Sequence, residues 1–210
     1  MLDFMSERSN STGQSMPHLR TLAERAYDEF SDVADYIWKA PRLLEHERTL
    51  ELAKLPKYYP KYPEVAELRW RIESRKLDST FPFLIAVGNL FSAASLFEAY
   101  LLLLAKDVEK HTGAKIDAIR GYGASRLFKY LRSQGLSCAE LALYLQVDAA
   151  LRIRNCLVHA TGILSWSRDE VELRRLCRSG TYLSAFHLGR RRESQGALTE
   201  VVIVESDFGD

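Results

Sequence analysis

Apolar residues recur every three or four positions over most of the chain, which is the spacing of amphipathic helices. A first helix is predicted at Pro17–Lys39, and Pro41 predicts its break. A more polar helix is predicted at Leu43–Leu55, and a charged one at Glu64–Leu77. The apolar positions of the first helix are Leu19, Leu22, Ala26, Phe30, Val33 and Ile37.

The segment PKYYPKYP, Pro56–Pro63, combines prolines and tyrosines in a way that excludes the interior of a helix. One interpretation is a stiff connector that packs on the surface. The other is an aromatic, basic platform on which nucleobases stack. The sequence leaves both open.

Pro82 begins the longest apolar helix, which is predicted to end near Gly113. Its stretch Phe83–Ala105 is long enough to span a membrane. It contains polar residues, however, and no second such stretch follows, so a buried bundle helix is favoured over a membrane span. The polar residues are Asn89, Ser92, Ser95 and Glu98.

A further helix is predicted from Ser137, which stands three residues before Glu140 in the capping-box spacing, to about Ala160. One side of this helix is apolar and predicted to face the core: Leu141, Leu145, Ala149, Ile153, Cys156 and Ala160. A second stripe is polar and follows helical steps: Asp148, Arg152, Asn155 and His159. Because apolar residues flank this stripe, its polar groups need partners from another helix, another subunit or a ligand.

After Gly162, the spacing of Ser167 and Glu170 predicts another capped helix, DEVELRRLCR. After this helix, apolar residues recur at the alternating spacing of β-strands. Two segments, TYLSAFHL and LTEVVIVE, flank GRRRESQGA and predict a small β-hairpin with Arg190, Arg191 and Arg192 in its turn.

The composition fits an intracellular globular protein. The chain has 210 residues, with 29 basic and 28 acidic side chains, so its global charge predicts no nucleic-acid partner. The cysteines number 3 and form no CxxC pair, which favours a reducing compartment. The start, MLDFMSERSNSTGQSM, is polar, lacks the apolar segment of a signal peptide and predicts a disordered tail. The histidines show no metal-ligand pairing, so we expect no metal and no cofactor.

The segment Arg154-Asn155-Cys156-Leu157-Val158-His159 resembles the RNxxxH form of the Arg-x(4–6)-His motif of the HEPN superfamily. Leu96–Leu101, an apolar run that carries Glu98, is similar to that superfamily's earlier core helix. The resemblance covers about Pro82–Gly162. It implies a helical bundle that dimerises through the helix bearing the motif, with Arg154 and His159 as the catalytic pair. By position, Asn155 is a supporting residue and Glu98 an orienting one.

The resemblance implies a metal-independent endoribonuclease of toxin–antitoxin, antiphage or RNA-processing systems. The chemistry is reasonable for these side chains. RNA supplies the 2′-OH as nucleophile, an imidazole exchanges protons near neutral pH, and a guanidinium stabilises the extra negative charge of the phosphorane. Arg154 and His159 are five residues apart, roughly 140° around one helix, so convergence is expected across a two-fold axis between two copies.

Each residue also has a structural interpretation. His159 can be a helix-end capping group, and Arg154 an ordinary ion-pair residue. Asn155 can hydrogen-bond within the core or the dimer. Glu98 can pair with a buried arginine such as Arg152 or Arg154. The arginines that can contact RNA phosphates, as an alternative to solvated charge, are Arg152, Arg190, Arg191 and Arg192.

The sequence therefore predicts a mainly α chain. It comprises a tail at 1–16, N-terminal helices and connector at 17–80, a HEPN-like antiparallel bundle at 81–165, and a short helix with the β-hairpin at 166–210. The predicted function is that of a cytoplasmic, homodimeric endoribonuclease that acts on RNA. No membrane association is expected, and an antitoxin or regulatory protein is a further predicted partner. The alternatives are a catalytically inactive HEPN module that binds a protein or nucleotide, and an unrelated helical scaffold.

Overall fold

The computed structural model describes residues 17–179, 188–192 and 198–202, with side chains for residues 19–176. Helices account for most of these residues, which confirms the prediction of a mainly α chain. The predicted tail at 1–16 lies outside the described residues. The predicted boundaries after residues 80 and 165 stay predictions.

The first helix, α1, runs from Pro17 to Tyr58 and includes both Pro41 and Pro56. The predicted break at Pro41 is therefore wrong. A proline inside a helix costs about 3 kcal/mol, because it removes one backbone hydrogen bond and crowds the preceding turn. Packing opposes part of this cost, since Ala40 is buried directly before the proline. An ion pair of 2.5 Å between Asp35 and Lys39 supports the preceding turn.

The tyrosine and proline segment is only partly a connector. Pro56–Tyr58 form the end of α1, where the prediction of a non-helical backbone is wrong. Tyr59–Tyr62 leave the helix, and Pro63 is the first residue of the next one, a position that needs no N–H. Tyr58 and Tyr62 are both exposed.

Helix α2 covers Pro63–Arg75, and α3 covers Phe81–Thr112. A π-helical turn, Lys76–Thr80, joins them without a break, with Phe81 N–H donating to the carbonyl of Lys76. This wider turn has a local cause: Pro82 has no N–H to offer, and its ring would crowd the carbonyl of a regular preceding turn.

The joined helix Pro63–Thr112 is long and apolar enough, by length and composition alone, to span a membrane. Only 11% of its most apolar stretch is buried. The expectation that this helix is buried is therefore wrong for most of that stretch, and the predicted bundle stays a prediction. The buried positions of α3 form one narrow stripe: Leu90, Ala94, Leu101 and Ala105.

The chain divides into two compact units, and the divisions fall inside α1 and α3. The first unit consists of Met1–Asp32 and Phe97–Leu136. It contains α4, Gly123–Ser133, whose Phe128 ring lies 6.0 Å from the ring of Phe97. Tyr130 is fully buried on the same helix and donates its hydroxyl proton to the carbonyl of Ala114 over 2.9 Å.

The second unit consists of Val33–Leu96 and Ser137–Asp210. It contains α5, Tyr144–His159, and α6, Glu170–Ser179, with a short 3-10 turn at Leu164–Trp166 between them. The core of this unit brings together buried residues of α3, α5, the turn and α6: Leu90, Ala149, Ile153, Cys156, Ala160, Leu164, Leu173 and Leu176.

The predicted core face of α5 is right for Ala149, Ile153, Cys156 and Ala160, and wrong for Leu141 and Leu145, which are each 64% exposed. Leu145 is exposed in the first turn of α5, before the first core residue of that helix, Ala149. Two local facts explain the exposure of Leu141. The predicted cap at Ser137 makes no side-chain hydrogen bond and instead precedes a 3-10 turn, Cys138–Glu140. The helix itself begins only at Tyr144, so Leu141 is not in its phase.

Two strands, β1 at Leu188–Arg192 and β2 at Leu198–Val202, pair antiparallel with Leu188 opposite Val202. The residues between them lie outside the described part of the chain, and so does most of the predicted first strand. The predicted β-hairpin as a whole stays a prediction. The backbone of Arg190–Arg192 belongs to β1 rather than to a turn.

Candidate functional site

The end of α5 carries the residues of the predicted catalytic motif. Ile153 and Cys156 are buried and fix the rotation of the helix on its core. With that rotation, Arg154 and Asn155 are half-buried at the margin of the core face, and His159 is exposed as the last helical residue. The imidazole is therefore open to solvent, while the guanidinium is held at the edge of the packed surface.

The helix ends in a strained turn directly after His159. The N–H groups of Ala160 and Gly162 both donate to the carbonyl of Cys156, over 2.9 and 3.1 Å. Thr161, with φ 51°, and Gly162, with φ 77°, are both in the left-handed region. A β-branched residue rarely adopts that conformation, and such strain clusters at functional sites. The turn fixes where His159 stands relative to the chain that follows.

Ion pairs occupy the first half of the polar stripe of α5, at Asp148 and Arg152. Arg152 Nε lies 2.7 Å from Asp148 Oδ2, and Arg152 Nη1 lies 2.6 Å from Asp169 Oδ1. Partial burial lowers the pKa of Arg152, but its hydrogen bond to Asp148 and the charges of Asp169 and Glu172 outweigh burial and hold it above the ordinary value. Arg152 therefore ties α5 to the residue before α6, which assigns it to packing rather than to phosphate contact.

Glu98 lies in the first unit, where it caps α4. Its Oε1 accepts the backbone N–H of Ala124 over 3.3 Å. Gly123 precedes it with φ 56°, and a Cβ added there would lie 3.1 Å from the same oxygen. A carboxylate at a helix N-terminus satisfies an unpaired N–H and favours the helix dipole. This capping bond gives Glu98 a structural role that differs from the arginine pairing considered in the sequence analysis.

The other predicted phosphate-contact arginines lie on β1, and two further arginines lie on α6. Arg190, Arg191 and Arg192 follow one another along β1, and their side chains lie outside the described ones. Arg174 and Arg175 on α6 pair with Glu170 and Glu172, each over 3.0 Å. The hydrogen bond from Arg175 holds the pKa of Glu172 below its ordinary value. These two cations are therefore largely neutralised within their own helix.

Two exposed residues that the sequence reasoning did not single out follow the candidate site: Trp166 and Arg168. The signal was present, because Trp166 stands between Ser165 and Ser167 in a polar turn, where no apolar periodicity predicts its burial.

Comparison with protein-family models, with curated proteins and with solved structures finds no match to this chain. The candidate site consists of an exposed imidazole, a half-buried guanidinium and a half-buried amide on the last turns of one helix, followed by a strained turn.

Proposed function

We propose that the chain is a metal-independent endoribonuclease of the HEPN type, with Arg154 and His159 as its catalytic pair. The observation that carries the proposal is the end of α5. There the core face is fully buried at Ile153 and Cys156, and His159 is exposed to solvent five residues after Arg154. A general acid or base must reach its substrate, and an exposed imidazole on a rigid helix meets that requirement.

The proposed reaction is an internal transesterification of RNA. The 2′-oxygen loses its proton and forms a bond to the adjacent phosphorus, while the bond from phosphorus to the 5′-oxygen breaks and that oxygen gains a proton. His159 transfers one of these protons, and Arg154 stabilises the negative charge of the phosphorane. The products are a 2′,3′-cyclic phosphate, which hydrolyses to a 3′-phosphate, and a 5′-OH.

We propose that two copies complete the site. Five helical residues separate Arg154 and His159, so their side chains leave the helix roughly 140° apart. Apolar side chains are exposed on and before the same helix, and burial of such groups is the usual driving force for association. They are Leu141, Leu143, Leu145 and Val158. A two-fold axis beside α5 would cover these residues and bring both catalytic pairs to one groove.

In this proposal the protein is a cytoplasmic toxin or antiphage effector, and Asn155 supports the catalytic pair. An antitoxin or regulatory protein is a further proposed partner. The second candidate function is a catalytically inactive module that binds a protein partner or a nucleotide. The exposed leucines before α5 favour it, because they would serve a foreign partner as well as a second copy.

Cleavage of RNA by the purified protein separates these functions. We expect the wild-type chain to cleave single-stranded RNA in the presence of EDTA, and Arg154→Ala and His159→Ala to lower the rate by about 10²- to 10⁴-fold. His46→Ala is the matched control, since His46 is an exposed histidine on α1. Circular dichroism checks that each variant keeps its helices. Intact RNA with the wild-type protein would favour the binding module.

A further inference from the structure

The chain after α5 returns through two tight turns that are anchored in the core. Ile163 N–H donates to Ala160 over 2.8 Å, and Trp166 N–H donates to Ile163 over 3.1 Å. Ile163 and Leu164 are buried, yet Trp166 is 66% exposed. Backbone hydrogen bonds and buried neighbours therefore hold an indole ring out to solvent.

Arg168 is exposed two residues after this indole and makes no ion pair with any carboxylate among the described residues. The arginines on the flanking helices differ, because Arg152, Arg174 and Arg175 all have carboxylate partners. The adjacent Asp169 is itself paired with Arg152, so its negative charge does not oppose an anion at Arg168.

Two tight turns connect the indole to the candidate catalytic group, His159. Each of the two turns brings residues three apart to within about 7 Å between Cα atoms, and one peptide step adds about 3.8 Å. The Cα of Trp166 is thus at most about 18 Å from that of His159. A strand of a few nucleotides spans that separation.

We propose that Trp166 and Arg168 form a docking element for single-stranded RNA, an inference that rests on the proposed nuclease function. A base stacks on the indole, and the guanidinium of Arg168 contacts a neighbouring phosphate. Nucleic-acid grooves for single strands combine stacking aromatics with cations in this way. The exposed polar residue Ser165 before the indole and the exposed cation of Arg168 after it favour RNA over a protein partner, whose contact core would be apolar.

Binding of a short fluorescein-labelled oligouridine, followed by anisotropy in EDTA, tests this element in a His159→Ala background that cannot cleave the probe. We expect the background protein to bind the probe and Trp166→Ala to weaken binding by about 5- to 150-fold, with Trp166→Phe weakened less. Arg168→Ala should lower the salt dependence of log K by about 0.7. Trp38→Ala is the matched control, since Trp38 is 61% exposed on α1.

Several results would overturn the docking element. One is that the background protein does not bind the probe, and another is that Trp166→Ala binds it with unchanged affinity. The third such result is a loss of affinity in Trp38→Ala that equals the loss in Trp166→Ala. Unchanged RNA binding together with lost self-association of Trp166→Ala would assign the indole to a protein interface. Binding that depends on Trp166 in a chain whose wild type never cleaves RNA would keep the docking element and reject the nuclease. Cleavage whose KM is unaffected by Trp166→Ala would reject the docking element alone.

Discussion

Arg152 on α5 binds Asp169, which directly precedes α6, with 2.6 Å between Nη1 and Oδ1. The same guanidinium binds Asp148 one turn earlier on α5 over 2.7 Å. A single arginine thus joins two helices of the second unit and, with Asp148, occupies the first half of the polar stripe that leads to His159. In the proposed nuclease, the end of that stripe at His159, rather than its whole length, would contact the substrate.

This ion pair should contribute measurably to stability. The side chains of Arg152 and Asp169 are 31% and 27% exposed, so solvent screens the pair only in part. We expect Arg152→Met to lower the free energy of unfolding by about 1–2 kcal/mol, and the double-mutant cycle with Asp169→Asn to give a coupling of about 0.5–1.5 kcal/mol. Urea denaturation at one fixed protein concentration measures both. Strictly additive effects would contradict the assignment of Arg152 to packing.

Glu98 should act on stability and not on catalysis. Its carboxylate accepts the N–H of Ala124 at the start of α4. Loss of such a cap in Glu98→Ala should cost about 0.5–2 kcal/mol, and Glu98→Gln, which keeps an acceptor oxygen, should cost less. Thermal unfolding and RNA cleavage are measured on both variants. A large loss of cleavage in Glu98→Gln at unchanged stability would instead support the orienting role that the family resemblance implies.

The left-handed turn after His159 gives a third prediction. Thr161 has φ 51° and is exposed, so its substitution removes strain without removing buried contacts. Thr161→Gly should stabilise the fold by about 0.5–1 kcal/mol, because glycine adopts this conformation without the steric cost of a Cβ. Thr161→Ala keeps a Cβ and serves as the control with a smaller gain. A lower melting temperature for Thr161→Gly would show that the threonine is not strained.

Self-association should depend on the exposed leucines before and within α5. Leu141→Ser and Leu145→Ser should each raise the dimer dissociation constant by about 10-fold or more, the value expected for one buried leucine. Multi-angle light scattering across a concentration series measures this shift. Leu43→Ser is the control, since Leu43 on α1 is similarly exposed. A wild-type chain that stays monomeric at micromolar concentration would reject the dimer.

Helical periodicity predicted the parts of the fold that depend on local pattern. It predicted the buried positions Ala149, Ile153, Cys156 and Ala160, because one face of a helix must be apolar to pack. It also predicted the end of α3 near Gly113. The sequence motif itself lies at the end of α5, where His159 is exposed.

Features that depend on contacts between residues distant in the chain could not be predicted from the sequence pattern. The pairing of Arg152 with Asp169 requires the position of α6, 17 residues away. Helix α1 continues through Pro41 beside the buried Ala40, and such tertiary packing is absent from the local pattern that predicted a break. Hydropathy likewise does not predict the low burial of α3 in the single chain. An apolar side chain has the same hydropathy whether it packs on its own chain or on a second one.

The chemistry of the RNA ends tests the central claim most directly. RNA incubated with the purified wild-type chain in EDTA should yield fragments with 2′,3′-cyclic phosphate or 3′-phosphate and 5′-OH ends, and His159→Ala should yield none above background. The 5′-OH ends are detected by their direct labelling with polynucleotide kinase. Fragments with 5′-phosphate ends, cleavage that EDTA abolishes, or equal cleavage by His159→Ala would contradict the account.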